Sequence, residues 1–372
     1  MKQKTFLSGP AGTGKTTRGV QHLRQLCAET ADGIIVFVPQ KTLAGPYFDE
    51  IRTQRGAPPQ VFTIGSLSLR MVELFWPLVS RGAGFAHPDE PPTFLNLETT
   101  QYFVAQVLRP LLEEGYFEAA VISRNRLYTQ LLDNLNKAAL NGYDPSSVGE
   151  RLQLATLGRP EQVSIFRDAQ KAAVRFREFC LENNLLDFSL QLEVFWKYLW
   201  PRGTLCREYL EGRYRHLIVD NLEETTPIEH DLLGAWLPEL DSALLIYDTD
   251  GGYRTFLGAD PLSANQLSGH CDKIIDLTES YVAPPLFEIL ANRFGQILHR
   301  PIVKRKEKLT LEQFRERIVY QTHRYFPEML DWVAEQIAYL VDEQGVSPSE
   351  IVVLSPFLSD ALRYSLTEKL DR

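Results

Sequence analysis

Cysteine is scarce and scattered: Cys27, Cys180, Cys206 and Cys271 include no Cys-x-x-Cys pair. That argues against a zinc or iron–sulfur site and suits a reducing cytoplasm, the expected location. No apolar run is long enough to cross a membrane. Met1 to Phe6 leads straight into a glycine-rich stretch, which predicts that there is no secretory leader. No Ser-His-Asp set, Cys-His pair, histidine-rich cluster or nuclease-type group of carboxylates with lysine stands out, and there is no internal repeat. An excess of base is also missing: 39 Lys and Arg face 48 Asp and Glu, a net charge of −9. A duplex-coating protein is normally basic. Any nucleic-acid contact must therefore come from local patches, as in a channel gripping one strand.

What is present is a 44% hydrophobic chain of 372 residues, enough for a core and for more than one domain. Residues 1–90 alternate strand and helix. Thr5–Ser8 reads as a strand, Lys15–Thr30 as a helix, Gly33–Pro39 as a buried parallel strand, Val61–Ile64 as a strand and Ser66–Phe75 as a helix. Between about 95 and 200, leucines and aromatics recur at helical spacing, which predicts an all-helical insertion. RHLIVD and SALLIYD then read as strands ending in Asp220 and Asp248. Further on, Pro327–Gly345 predicts an amphipathic helix and Ile351–Phe357 another buried strand.

Gly9-Pro10-Ala11-Gly12-Thr13-Gly14-Lys15-Thr16 matches G-x-x-x-x-G-K-[ST], with a strand before it and a helix after it. Glycines let the backbone amides curl inward at phosphate oxygens, and the following helix presents its positive end to the same anion. Lys15 is expected to reach the β- and γ-phosphates, and the Thr16 hydroxyl to hold Mg²⁺. With average glycine usage, a chain of this length matches by chance on the order of 1% of the time. The loop alone does not choose among kinases, GTPases and helicases.

Six downstream segments, in order, resemble superfamily 1 DNA helicases of the UvrD/Rep/RecB kind. VFVPQKTLAGPYFDEI (Val36–Ile51) is similar to the family's second strand and its strand-touching motif. VFTIGSLSLRMV (Val61–Val72) is similar to TFHSL, and NLLDFSLQLEVF (Asn184–Phe195) to LDFDDLL. HLIVDNLEETTPIEHDLL (His216–Leu233) is similar to HILVDEFQDTNPAQ. LLIYDTDGGYRTFLGA (Leu244–Ala259) is similar to VGDDDQSIYRFRGA, and DLTESYVAPPLFEILAN (Asp276–Asn292) to LTENYRSTQEILDAAN. The first two segments also resemble AddB, the degenerate helicase-like subunit of a recombination nuclease.

The resemblance implies a RecA-like P-loop α/β fold: a parallel sheet with helices on both faces, a helical insertion and the start of a second RecA-like domain. Residues 1–90 and 205–275 would form the P-loop domain and 91–204 the insertion. Residues 276–372 would be a partial second motor domain, ending at Arg372. It implies ATP and Mg²⁺ as cofactors, with Gly9 to Thr16, Thr17 and Asp248 at the nucleotide and Thr16 and Asp220 at the metal. Single-stranded DNA would meet Lys41, Thr42, Thr63, Ser66, Tyr253 and Phe256, in DNA repair or recombination.

Several positions depart from the family's pattern. Its Asp–Glu pair, a metal ligand followed by the group that activates water, reads Asp220–Asn221 here, and an amide is not a base. Glu223 and Glu224 follow, as substitutes or as a solvated loop, the latter slightly preferred. Gly251 replaces the phosphate-sensing glutamine, Leu257 an arginine, and Val282 the arginine that meets the transferring phosphate. Arg293 and Arg324 are nearby arginines without a favouring spacing.

Two functions follow. One is an ATP-binding helicase-like protein with weakened hydrolysis, its catalytic candidates Lys15, Asp220, Glu223 and Glu224. The other is an inactive AddB-like scaffold that binds nucleotide and a nuclease or motor partner. Tyr253 and Phe256 are expected either to stack on bases or to pack under the sheet. The five tryptophans (76, 196, 200, 236, 332) are expected in the core, and the basic run around 299–308 as a solvated face.

Overall fold

A computed structural model describes residues 3–30, 33–53, 58–156, 162–280, 282, 285–298 and 318–371. Its strands are β1 (Gln3–Gly9), β2 (Ile34–Phe37), β3 (Gln60–Phe62), β4 (Thr93–Phe94), β5 (Leu185–Leu186), β6 (His216–Val219), β7 (Ser242–Asp248) and β8 (Lys273–Asp276). Six of them form one sheet in the order β3-β2-β6-β7-β1-β8, every pair parallel. Side chains alternate between faces along a strand, so a sheet covered on both sides needs apolar residues at every position. Phe6, Ile35, Phe37, Leu217, Val219, Ala243 and Leu245 enter one core. Their neighbours Leu7, Ile34, Val36, Ile218, Leu244 and Ile246 enter the other.

The second core is closed by α1 (Lys15–Glu29), through Leu23 and Leu26, and by α2 (Gly45–Thr53) with the turn before it, through Tyr47 and Ala44. The first is closed by α3 (Ile64–Leu74), by the helix Pro227–Trp236 and by the helical stretch, all sharing one apolar cluster. This is the expected P-loop, RecA-like α/β arrangement, helices flanking a parallel sheet. The strand expected at Val61–Ile64 ends at Phe62, because Thr63 caps α3 and Ile64 already begins it.

The stretch from 97 to 194 contains helices Leu97–Glu113, Arg124–Leu140, Val148–Ala155, Gln162–Glu182 and Phe188–Val194. In the longest, Ala169, Ala172, Ala173, Phe176 and Cys180 are buried, a 3.6-residue stripe. The stretch is not wholly helical. Thr93 and Phe94 pair in parallel with Leu185 and Leu186, joining its entrance to its exit. Asn184 reinforces that clasp: its Nδ2 donates to the His87 carbonyl at 2.6 Å, and its Oδ1 accepts from the His87 amide at 3.3 Å. A two-residue strand has no periodicity to read, so the sequence does not announce it.

The chain divides into two compact units, Met1–Ala283 and Pro284–Arg372. In the second, helix Phe326–Ala338 runs into a π-turn at Tyr339–Glu343 and packs with helix Asp360–Leu370, where Lys369 and Asp331 pair. Ile351–Phe357 is neither a strand nor buried. An apolar run becomes a strand only beside a partner, and no strand lies beside it among the described residues. Trp76, Trp200 and Trp236 are core, whereas Trp196 and Trp332 are half-buried. The run 299–308 lies outside the described residues.

Candidate nucleotide site and adjoining cleft

The glycine-rich loop leaves the C-terminal end of β1, the edge of a parallel sheet where ligands generally bind. Gly12 (φ 77°) and Gly14 (φ 80°) take the left-handed conformation that a side chain disfavours. A Cβ on Gly9 would meet the Leu277 carbonyl oxygen at 2.5 Å. Gly14 is the N-cap of α1 and offers no side chain to its first turn. Lys15 is buried, 8% exposed, and its ammonium donates to the Pro10 carbonyl at 2.6 Å and to Asp248 Oδ2 at 3.0 Å. Thr13 is buried with its hydroxyl on the same carbonyl, at 2.9 Å, whereas Ala11 and Thr17 are exposed. A left-handed loop, an uncapped helix start and a buried cation fit a phosphate chain.

Asp220, 2% exposed, directly follows β6, and the Thr16 hydroxyl of the loop acts to lower its carboxyl's pKa, so residues from the two motifs lie near one another. Burial raises its carboxyl above the usual range, and the Thr16 and Tyr47 hydroxyls oppose that shift. Tyr47, which sequence reasoning did not single out, is fully buried and donates to Asp220 Oδ2 at 3.0 Å. Its approach depends on Gly19, where a Cβ would lie 2.3 Å from the phenol oxygen. Burial and the neighbouring Asp220 push the phenol well above its ordinary pKa, so it stays a donor. The Thr16 hydroxyl and the Asp220 carboxyl beside the loop are the hard oxygen donors that suit Mg²⁺.

The solvated-loop expectation for Glu223 and Glu224 does not hold. Glu223 is 2% exposed, its Oε2 accepting the Asp248 amide at 2.8 Å and its Oε1 facing Asn221 Nδ2 at 3.4 Å. A Cβ on Gly251 would lie 2.7 Å from Glu223 Cγ, so Glu223 occupies the space a side chain at 251 would need. Burial raises the Glu223 carboxyl to about 7, with Asp248 adding to the rise and hydrogen bonds opposing it. Glu224 instead accepts the amides of Gly252, Tyr253 and Arg254 at 3.1, 3.2 and 3.2 Å, a cap on the turn Arg254–Leu257. Asn221 is left-handed (φ 57°), a conformation asparagine tolerates better than most residues. Relative to the similar segment D-E-F-Q-D, amide and acid have changed places at 221 and 223.

The single-strand candidates divide into three groups. Lys41 and Thr42 are exposed on the turn Lys41–Ala44 after β2. Thr63 and Ser66 form a reciprocal capping box, so their side chains are already committed to starting α3. Tyr253 and Phe256 are 70% and 67% exposed, which overturns their packing under the sheet. Leu257 is also exposed, and Val282 is 78% exposed. Arg293 and Arg324 belong to the second unit and are exposed, Arg293 Nη1 donating to Gln296 at 3.5 Å and Arg324 lying over Tyr325.

Phe256 belongs to a cleft of about 560 Å³ between the sheet's C-terminal edge and the helices Arg124–Leu140 and Phe188–Val194. Thr63, Phe188, Thr226, Glu229, Lys137 and Arg254 line it as well. Burial pushes the Glu229 carboxyl up to about 8. Among the described residues, no group of three or more His, Cys, Asp or Glu side chains could by itself hold a metal ion.

No family model matches the chain. Over 150 residues, 40% of its length, it is 27% identical to ATP-dependent DNA helicase UvrD2 of Mycobacterium tuberculosis (strain ATCC 25618 / H37Rv). The protein of that name from Mycobacterium bovis (strain ATCC BAA-935 / AF2122/97) gives the same figures. The chain spans about a fifth of the length of these relatives, 21%. This is a distant UvrD-like helicase relationship.

Proposed function

We propose that this chain binds ATP with Mg²⁺ and works on single-stranded DNA as a superfamily 1, UvrD-like helicase component in repair or recombination, with slowed hydrolysis. The observation that carries this reading is the buried Lys15 ammonium, held by the Pro10 carbonyl and Asp248 in a loop with left-handed glycines, beside the buried Asp220. The amides of Gly12 to Thr16 receive the phosphates. The Lys15 ammonium leaves the Pro10 carbonyl and Asp248 to meet the terminal phosphates. Thr16 and Asp220 hold Mg²⁺, which when bound neutralises charge on the phosphate oxygens.

Hydrolysis needs a proton acceptor, and the Asn221 amide is not one. Glu223 takes that role from two positions along. It accepts the proton of the attacking water as the water oxygen bonds to the terminal phosphorus and the bond to the leaving diphosphate breaks. Its pKa of about 7 suits a general base at neutral pH. Displacement along the chain slows the reaction, since misplacement of about 1 Å can cost on the order of 10²-fold. Lys41, Thr42, Tyr253 and Phe256 are exposed where they could touch a strand's backbone and bases.

The alternative is an AddB-like scaffold whose nucleotide is structural and whose surface holds a nuclease or motor partner. The exposed Val282, where an arginine would serve the phosphate, favours it. ATP turnover with and without single-stranded DNA, beside Lys15→Ala, separates the two. The helicase-like reading expects DNA-stimulated turnover that Lys15→Ala abolishes. Tight binding without turnover would leave the scaffold standing.

A further inference from the structure

Two polar atoms on the floor of the cleft have no partner, although the Glu229 carboxyl also takes a backbone hydrogen bond from Thr226. The Thr226 hydroxyl and Glu229 Oε1 are both buried without a hydrogen bond, and both residues line the cleft. Their residues are 9% and 2% exposed. The two sit at the N-cap and third position of the helix Pro227–Trp236, where threonine and glutamate normally form a capping box. Here the Thr226 side chain makes no cap. An unpaired buried polar group costs about 1–3 kcal/mol, so two side by side in an open cleft call for a ligand that pairs them.

The walls indicate its shape. Phe188 presses on Gly65, where a Cβ would lie 2.8 Å from the ring, and Phe256 faces solvent from the opposite element. Lys137 and Arg254 bring cations to the lining, and Asp133, Glu224 and Glu229 bring carboxyls. Aromatic faces and a polar floor with one hydroxyl and one carboxyl oxygen suit a flat heteroaromatic ring. In duplex DNA such a ring is stacked and its pairing edge engaged, so the matching form is a base turned out of a single strand.

We propose that Thr226 and Glu229 read the hydrogen-bonding edge of one base of a bound single strand, giving the protein a base preference at that position. The proposal rests on the single-strand reading above and adds selectivity to it. Burial keeps the Glu229 carboxyl largely protonated at neutral pH, its pKa being about 8, so Oε1 accepts from an exocyclic amine as the carbonyl oxygen of a neutral acid, while the Thr226 hydroxyl donates or accepts beside it. Adenine and cytosine carry such an amine and thymine does not. The floor therefore favours the first two.

The test is fluorescence anisotropy of the full chain with labelled oligo-dT strands carrying one dA, dC, dT or abasic position. The wild type is expected to favour dA or dC over dT by about tenfold. Glu229→Leu and Thr226→Val should each level that preference, and Glu229→Gln, which keeps an acceptor oxygen, should retain part of it. Thr226→Val preserves shape, so it decides the matter if Glu229→Leu does not fold. Binding without base preference in the wild type, or a preference unchanged in Thr226→Val, overturns the floor but not the single-strand reading. No binding to any strand overturns both.

Discussion

The loop Gly9–Thr16 and the turn Asp220–Glu224 sit at the same edge of the sheet, yet sequence tells very different amounts about them. In the loop every position expected to matter is present, and the backbone adopts the conformation the glycines allow. In the turn the residue next to Asp220 has lost its carboxylate, and by sequence alone the chemistry looks absent. The folded turn keeps an acid and an amide in contact, with their positions exchanged, and the missing side chain at 251 makes room for the acid. A backbone-built site is thus tied to its letters. A side-chain-built site can be rearranged when a neighbour yields volume.

If the exchange is functional, reversing it is the sharpest test. Glu223→Gln should lower steady-state ATP turnover by on the order of 10²-fold, with nucleotide affinity little changed. Asn221→Glu alone should gain little, because two carboxylates would then meet at the spot where amide and acid now pair, and because a left-handed glutamate costs roughly 1–2 kcal/mol. Together the two changes should restore most of the turnover. Undiminished turnover in Glu223→Gln would mean that the acid is only a structural brace.

Next in size is the effect of filling the vacated space. Gly251→Gln must displace Glu223 from the Asp248 amide, at about 1–3 kcal/mol by analogy with overpacking. Thermal melting should show that loss, and turnover should fall with it. Smallest is the pH effect. A base whose pKa lies at about 7 is ionised above that value, so the rate should rise as pH passes through about 7 and level off beyond it. In Glu223→Gln that limb should vanish. A flat wild-type profile between pH 6 and 8 would remove Glu223 from the chemistry.

The same contrast explains what could be read in advance. β2 was legible because glycine and proline bracket a short apolar run, and α1 because the loop demands a helix behind it. Asp220 was legible as the end of an apolar strand. Tyr47 was not, because its reach to Asp220 depends on a bare Cα at Gly19, two elements away in sequence. Glu223 escapes a sequence reading for a similar reason: two acids in a short loop normally face water, and the space left at Gly251 together with the Asp248 amide takes one of them in. Ile351–Phe357 failed differently. Its composition is that of a strand, but composition supplies no neighbour to pair with.

The central claim is that the loop and Asp220 hold a magnesium–nucleotide complex. Isothermal titration calorimetry of the full chain with ATP, with and without Mg²⁺ and beside Lys15→Ala, tests it most directly. A saturable one-to-one heat that weakens about tenfold or more without the metal and disappears in Lys15→Ala is the predicted result. Folded wild-type protein giving no heat with any nucleoside triphosphate would contradict the account.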